Sequence, residues 1–160
     1  MAATIELLEG GTAVECSFDD LLRSHPSPAG VAIAFKVLER ALALLGGRCE
    51  RARLRVATAF GGPGARAAFE HATGAAGFMV DPALRRPERG PGLERFVFRI
   101  ACGDAAVTLL LRDGVLSDEF TRLAFARERT ALQDARLEEL QPEMAARVLA
   151  TPAAELFVLG

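Results

Sequence analysis

The chain has 160 residues, 51% hydrophobic and 25% charged, with a formal net charge of -2. That length suits one domain, residues 1–160, able to bury roughly 70% of its unfolded surface. The near-neutral balance excludes the basic field that holds nucleic acid or an anionic membrane, so neither is expected as a partner.

The 19 basic residues comprise 18 Arg and a lone Lys, Lys36. Cys16, Cys49 and Cys102 are odd in number and form no C-x-x-C pair, so neither a disulfide framework nor a zinc ribbon is indicated. Met1 to Glu6 lacks the basic region and apolar run of a signal peptide. The longest apolar run is broken by Lys36, Glu39 and Arg40, too soon for a membrane span. A cytoplasmic, reduced protein is the expectation.

Residues 2 to 8 read as a short strand that turns at Gly10-Gly11. Ser17-Phe18-Asp19-Asp20 has the form of a helix N-cap with an acid at N3, opening a helix to about Arg23 that His25-Pro26 ends. From Pro28 to about Gly46, Val31, Phe35, Leu38, Leu42 and Leu45 share one helical face, widened by Ala34, Val37, Ala41 and Leu44. Lys36, Glu39 and Arg40 leave only a narrow polar stripe, so this helix belongs in the core or at a subunit contact. Leu54, Val56, Thr58 and Phe60 then alternate as one face of a strand. The Gly61-Gly62-Pro63-Gly64 turn leads into a helix from about Pro63 to Thr73. Phe78-Met79-Val80 reads as a short strand, and residues 82–92, rich in Pro, Gly and Arg, as a flexible surface loop.

Phe96, Phe98, Ile100 and Cys102 alternate on one side of Gly103-Asp104, with Val107, Leu109 and Leu111 on the other, which predicts a hairpin. The part from 117 to 158 reads as mainly helical. Ser117 caps a helix to about Arg127, and Thr130-x-x-Gln133 is a capping box for the next, interrupted at Pro142. Thr151-Pro152 ends it before Leu156-Phe157-Val158. Strands and helices without steady alternation argue an α+β fold with an antiparallel or mixed sheet and packed helices.

Ser24-His25-Pro26-Ser27-Pro28-Ala29-Gly30, running into Val31-Ala32-Ile33-Ala34-Phe35-Lys36, resembles the start of the subunit-E family of formylmethanofuran dehydrogenase. There His-Gly-His-Leu-Cys-Pro-Gly precedes an apolar helix. With Ala29 as an insertion, His25 falls on the family's second His, Ser27 on its Cys and Pro28 on its Pro. Ala67-Ala68-Phe69-Glu70-His71-Ala72-Thr73-Gly74 and Ala146 to Phe157 are similar to two later family segments. The resemblance implies a fold like the C-terminal domain of glyceraldehyde-phosphate dehydrogenase, and a homodimer. The family's His and Cys bind a divalent metal together with a Cys from a later loop. Here that loop is Gly61 to Gly64, and a further family Cys falls on Ala75. No cofactor is therefore expected, and His25 is the one weak candidate for a metal.

The first functional expectation is a binding or accessory protein that holds a small anionic ligand between the His25 loop and the Gly61 loop. His25, Ser27, Lys36, Gly62, Gly64 and Arg66 are its expected ligand contacts. An alternative is an enzyme with His25 as general acid or base and Lys36 or Arg66 stabilising charge. A further alternative is a structural partner subunit of a dimer, without a ligand. Gly62-x-Gly64-x-x-Ala67 with Asp81 also meets the form of a dinucleotide fingerprint, against a plain tight turn that needs glycine for positive φ. Lys36 is weighed as a Schiff-base former against pairing with Glu39, and Cys16 as a thiol of lowered pKa near a helix start. Cys102 is read as core and His71 as a minor candidate. Arg85, Arg86 and Arg89 either clamp an anion or solvate their loop, and Glu138-Glu139 is a solvated face.

Overall fold

A computed structural model describes residues 3–25 and 27–160. Pro26, expected to end the first helix, lies outside the described residues, as do Met1 and Ala2. The fold is mixed α+β. A hairpin of β1 (Thr4–Glu9) and β2 (Thr12–Ser17) opens the chain. Gly10 and Gly11 both take positive φ, the conformation a two-residue hairpin turn demands. Glu50 holds that turn by accepting from the N–H of Gly10 at 3.1 Å and of Gly11 at 2.8 Å. The strand β2 was not anticipated. Thr12 to Glu15 are all exposed, so no burial period marks them.

Helix α1 (Phe18–Leu22) starts on the expected capping box. The Ser17 N–H donates to the Asp20 carboxylate at 2.9 Å, and the Asp20 N–H donates to the Ser17 hydroxyl at 3.1 Å. The Ser17 backbone and side-chain bonds, helped by nearby Arg23, hold the Asp20 carboxyl below its ordinary value. A lowered folded pKa stabilises above the unfolded value of ~3.9 and is lost as pH falls through the folded one. The stability gap between wild type and Asp20→Ala should therefore shrink as pH drops below about 4. A gap that widens with acid in denaturant titrations would show the cap assignment to be wrong.

Helix α2 (Pro28–Leu44) is buried from Val31 to Leu38 without interruption. It packs on α1, on α3 (Pro63–Thr73), on α5 (Ala131–Ala150) and on the main sheet, which explains its narrow polar stripe. One chain covers its apolar faces up to Leu42, and Leu44 in the last turn is exposed. The main sheet has the order β4 (Phe78–Val80), β3 (Leu54–Thr58), β5 (Val97–Cys102), β6 (Ala105–Leu111), β7 (Phe157–Leu159). The β3–β4 pair is parallel, joined through α3, and the other pairs are antiparallel. Val56 pairs with Ile100, and Ile100 with Val107. Thr58 pairs with Phe98, and Phe98 with Leu109. The alternating residues of three strands thus share the face that meets α2, as their period predicts. Phe69 of α3 stacks on Phe78 at 5.5 Å between ring centroids and closes the core beneath β4.

Helix α4 (Asp118–Ala124) is capped by Ser117, and α5 by the Thr130–Gln133 box. The expected interruption at Pro142 does not occur. Buried positions Leu140, Met144, Ala145 and Val148 run straight through it. Pro142 removes one N–H and leaves the carbonyl of Glu138 without its helical donor, at an exposed position on the helix. A short α6 (Ala153–Leu156) leads into β7.

The cysteine reading is corrected. Cys49 and Cys102 form a disulfide with Cα atoms 6.1 Å apart, leaving Cys16 as the free thiol. An odd count allows one pair plus one thiol, and spatial proximity, which parity cannot report, decided it. Among the described residues, no helix is long and apolar enough to cross a membrane.

Candidate functional site

Helices α2 and α3 both begin with proline, Pro28 and Pro63, and their first turns touch. A Cβ placed on Gly64 would lie 2.5 Å from the Ser27 carbonyl oxygen, and one on Gly30 would lie 2.9 Å from the Ala65 nitrogen. Each glycine is thus set against the backbone of the other helix's first turn. The turn after His25 and the Gly61–Gly64 loop therefore face each other, as expected. Positive φ is not the reason for glycine in that loop, which corrects the tight-turn expectation. Gly62 has φ of -57°, and neither Gly61 nor Gly64 is left-handed. At Gly62 the constraint is the Phe60 side chain, whose ring a Cβ there would overlap.

Beside this contact opens a cleft of about 560 Å³. Phe60, Phe96, Phe120, Phe125, Val80 and Leu137 form apolar walls, and Ser27, Gln141, Arg95 and Arg129 supply the polar groups. Phe60 and Phe96 lie 4.5 Å apart by centroid, and Phe125 stands 5.7 Å from Phe96 and edge-on to Phe60 at 6.1 Å. Gln141 accepts from the Ala29 N–H at 3.1 Å, satisfying one of the orphan donors at the start of α2. No lining residue is Asp or Glu. The Arg129 guanidinium donates to Asp134 at 2.7 Å and to the Leu123 carbonyl at 2.9 Å. Arg95 lies over the Phe125 ring, 4.6 Å from its centroid, and forms no ion pair among the described residues.

Of the expected contacts, Ser27, Gly62 and Gly64 line this cleft, and His25, Lys36 and Arg66 do not. The His25 Nδ1 accepts from the Ser27 N–H at 3.2 Å, so the ring braces its own turn. Lys36 is buried on α2 and pairs with Glu39 at 3.3 Å. Arg66 is exposed on α3 and faces Glu70 at 3.9 Å. The cationic groups at the cleft are instead Arg95 and Arg129, which the sequence reading did not single out. Their signal was faint, an Arg flanking Phe96 and another just before the Thr130 cap.

The metal implied by the resemblance does not fit these residues. His25 spends Nδ1 on its own backbone, and Ser27 offers a hydroxyl in place of a thiolate. No group of three or more His, Cys, Asp or Glu suited to a metal occurs among the described residues. The dinucleotide form fares similarly, because Asp81 caps the turn at Ala83 with a 3.0 Å bond and Gly64 is filled against Ser27.

A second cavity, of about 430 Å³, is lined by Cys16, Asp20, Arg51 and His71 with Glu9 and Glu15. Most of its charges are paired, Asp20 with Arg23 and Glu9 with Arg51, whereas Glu15 makes no ion pair among the described residues. Arg51 pairs with Glu9 at 2.7 Å and donates to the carbonyls of Ala72 and His71. Burial first, then the charge of Asp20, pushes the Cys16 thiol up rather than down, a correction to the expected lowering. Arg89 donates to the carbonyls of Leu93 and Leu111, and Arg85 pairs with Glu94, so both tie the 82–92 loop in place. Arg136 takes up Glu139, leaving the Glu138-Glu139 face solvated as expected.

No protein-family model matches this chain, and no curated protein or solved structure matches it significantly.

Proposed function

We propose that the protein is a binding or accessory protein, of the subunit-E-like kind its sequence resembles, that holds a small organic anion in the cleft between the Ser27 turn and Phe125. One observation carries this reading. The cleft has two arginines and no carboxylate in its walls, and only Arg129 has its charge answered by an acid. A guanidinium beside apolar walls is under-solvated, and a ligand carboxylate or phosphate answers it with charge-assisted hydrogen bonds. The enzymatic alternative has less support, because His25 and Lys36 are engaged away from the cleft. The homodimer now rests mainly on the resemblance, since α2 is covered within one chain from Val31 to Leu42 apart from its polar stripe, with Leu44 exposed at its end.

Thermal-shift measurements with benzoate, acetate and phosphate test the reading. An anion at ten times its Kd should raise the melting temperature by about 3–5 °C. Arg95→Gln should remove most of that gain. If no anion stabilises the wild type, the cleft is not an anion site.

A further inference from the structure

The walls of the cleft also constrain the body of its ligand, an inference that rests on the anion reading of the same site. The Arg95 guanidinium carbon lies over the Phe125 ring, 4.6 Å from its centroid, and its N–H groups enter no ion pair among the described residues, so an edge of the guanidinium is open to a ligand. A carboxylate takes such an edge with two parallel hydrogen bonds, in the plane of the guanidinium. The apolar surface next to that plane is aromatic. Phe125 is half-buried, with Phe60 edge-on to it at 6.1 Å and Phe96 at 5.7 Å. These spacings fall within the 4.5–7 Å at which aromatic rings interact favourably, so a further ring could extend the cluster.

We propose that the ligand of this cleft is an aryl carboxylate, its ring laid against Phe60 and Phe125 and its carboxylate on the edge of Arg95. The separations are short, so the carboxylate sits directly on the ring or one carbon from it. Edge-to-face and offset-stacked contacts favour an aromatic body over an alicyclic one of equal size by about 3–10-fold in affinity. Inorganic phosphate, lacking a body, competes poorly.

The chain has no Trp and no Tyr, so a naphthyl probe can be excited with little protein background. Titration of 2-naphthoate against the full chain should give a saturable rise in fluorescence anisotropy. Benzoate should displace it at about 3–10-fold lower concentration than cyclohexanecarboxylate. Phe125→Leu should bring the two competitors together, and Arg95→Gln should weaken 2-naphthoate at least about tenfold. Circular dichroism checks that both variants are folded, and each changes a side chain that is not fully buried. Equal competition by benzoate and cyclohexanecarboxylate overturns the aryl class and leaves the anion reading standing. So does stabilisation by phosphate without 2-naphthoate binding. Displacement by neutral 2-naphthalenemethanol as strong as by benzoate overturns the charge contact, and absence of binding by every anion overturns both readings.

Discussion

Reduction of the Cys49–Cys102 disulfide is expected to lower the unfolding free energy by about 2–4 kcal/mol and the melting temperature by roughly 5–15 °C. The bridge spans 53 residues of sequence, and chain entropy alone gives a loop of that size about 4 kcal/mol. Its position adds a reason to expect a cooperative loss. Cys49 lies just after α2, and its carbonyl accepts from the Leu8 N–H at 2.9 Å while neighbouring Glu50 grips the β1–β2 turn. Cys102 ends β5, opposite Leu54 of β3. One covalent link therefore joins the hairpin, the end of the central helix and the main sheet. Cys49 is 2% exposed whereas Cys102 is half-buried, so reduction is driven to completion by treating unfolded protein with reductant before refolding. The comparison is best made in a Cys16→Ser background, which removes exchange through the free thiol. An unchanged midpoint, with both thiols titrating after reduction, would show that the bridge does not constrain the unfolded chain.

The disulfide also marks the boundary of what the amino-acid sequence makes legible. Alternation in residues 54–60, 96–102 and 107–111 was enough to choose the inward face of three strands, because a sheet covered on one side enforces a period of two. Gly103-Asp104 and the Ser17 and Thr130 caps were legible because their chemistry is local, complete within four residues. Three features were not. The strand β2 is exposed from Thr12 to Glu15 and pairs only with β1, so its sequence carries no alternating burial pattern. Pro142 reads as a break, yet the carbonyl it frees belongs to exposed Glu138 and the buried face of α5 passes it. The cleft draws on Ser27, Phe60, Arg95, Phe125 and Gln141, five positions spread over most of the chain. No spacing rule connects them. Ser27 and Gly64 were found because each flanks a helix start, whereas Arg95 acts by where β5 begins relative to Phe125, a purely tertiary fact.

Gly64→Val should be the most damaging exchange in the cleft loop, costing about 3 kcal/mol, whereas Gly61→Ala should change stability by less than about 0.5 kcal/mol. Both glycines lie in one four-residue turn and neither has positive φ, so backbone freedom predicts no difference between them. Space does. A Cβ at 64 meets the Ser27 carbonyl oxygen at 2.5 Å, the Ser27 Cβ at 3.0 Å and the Val31 nitrogen at 3.3 Å. Two of those are backbone atoms of the α2 start and cannot rotate away, so α2 and α3 must separate. At 61 the nearest atom is a Val80 methyl at 3.7 Å, an ordinary contact. The separation forced by valine would also displace Ser27 and pull Ala29 from Gln141, so 2-naphthoate binding should weaken even where the protein stays folded. Chemical denaturation of the two variants side by side decides the matter. Equal losses would mean that the loop is constrained by its own conformation, whereas a far larger loss at Gly64 makes the contact of two helix starts the element that shapes the cleft.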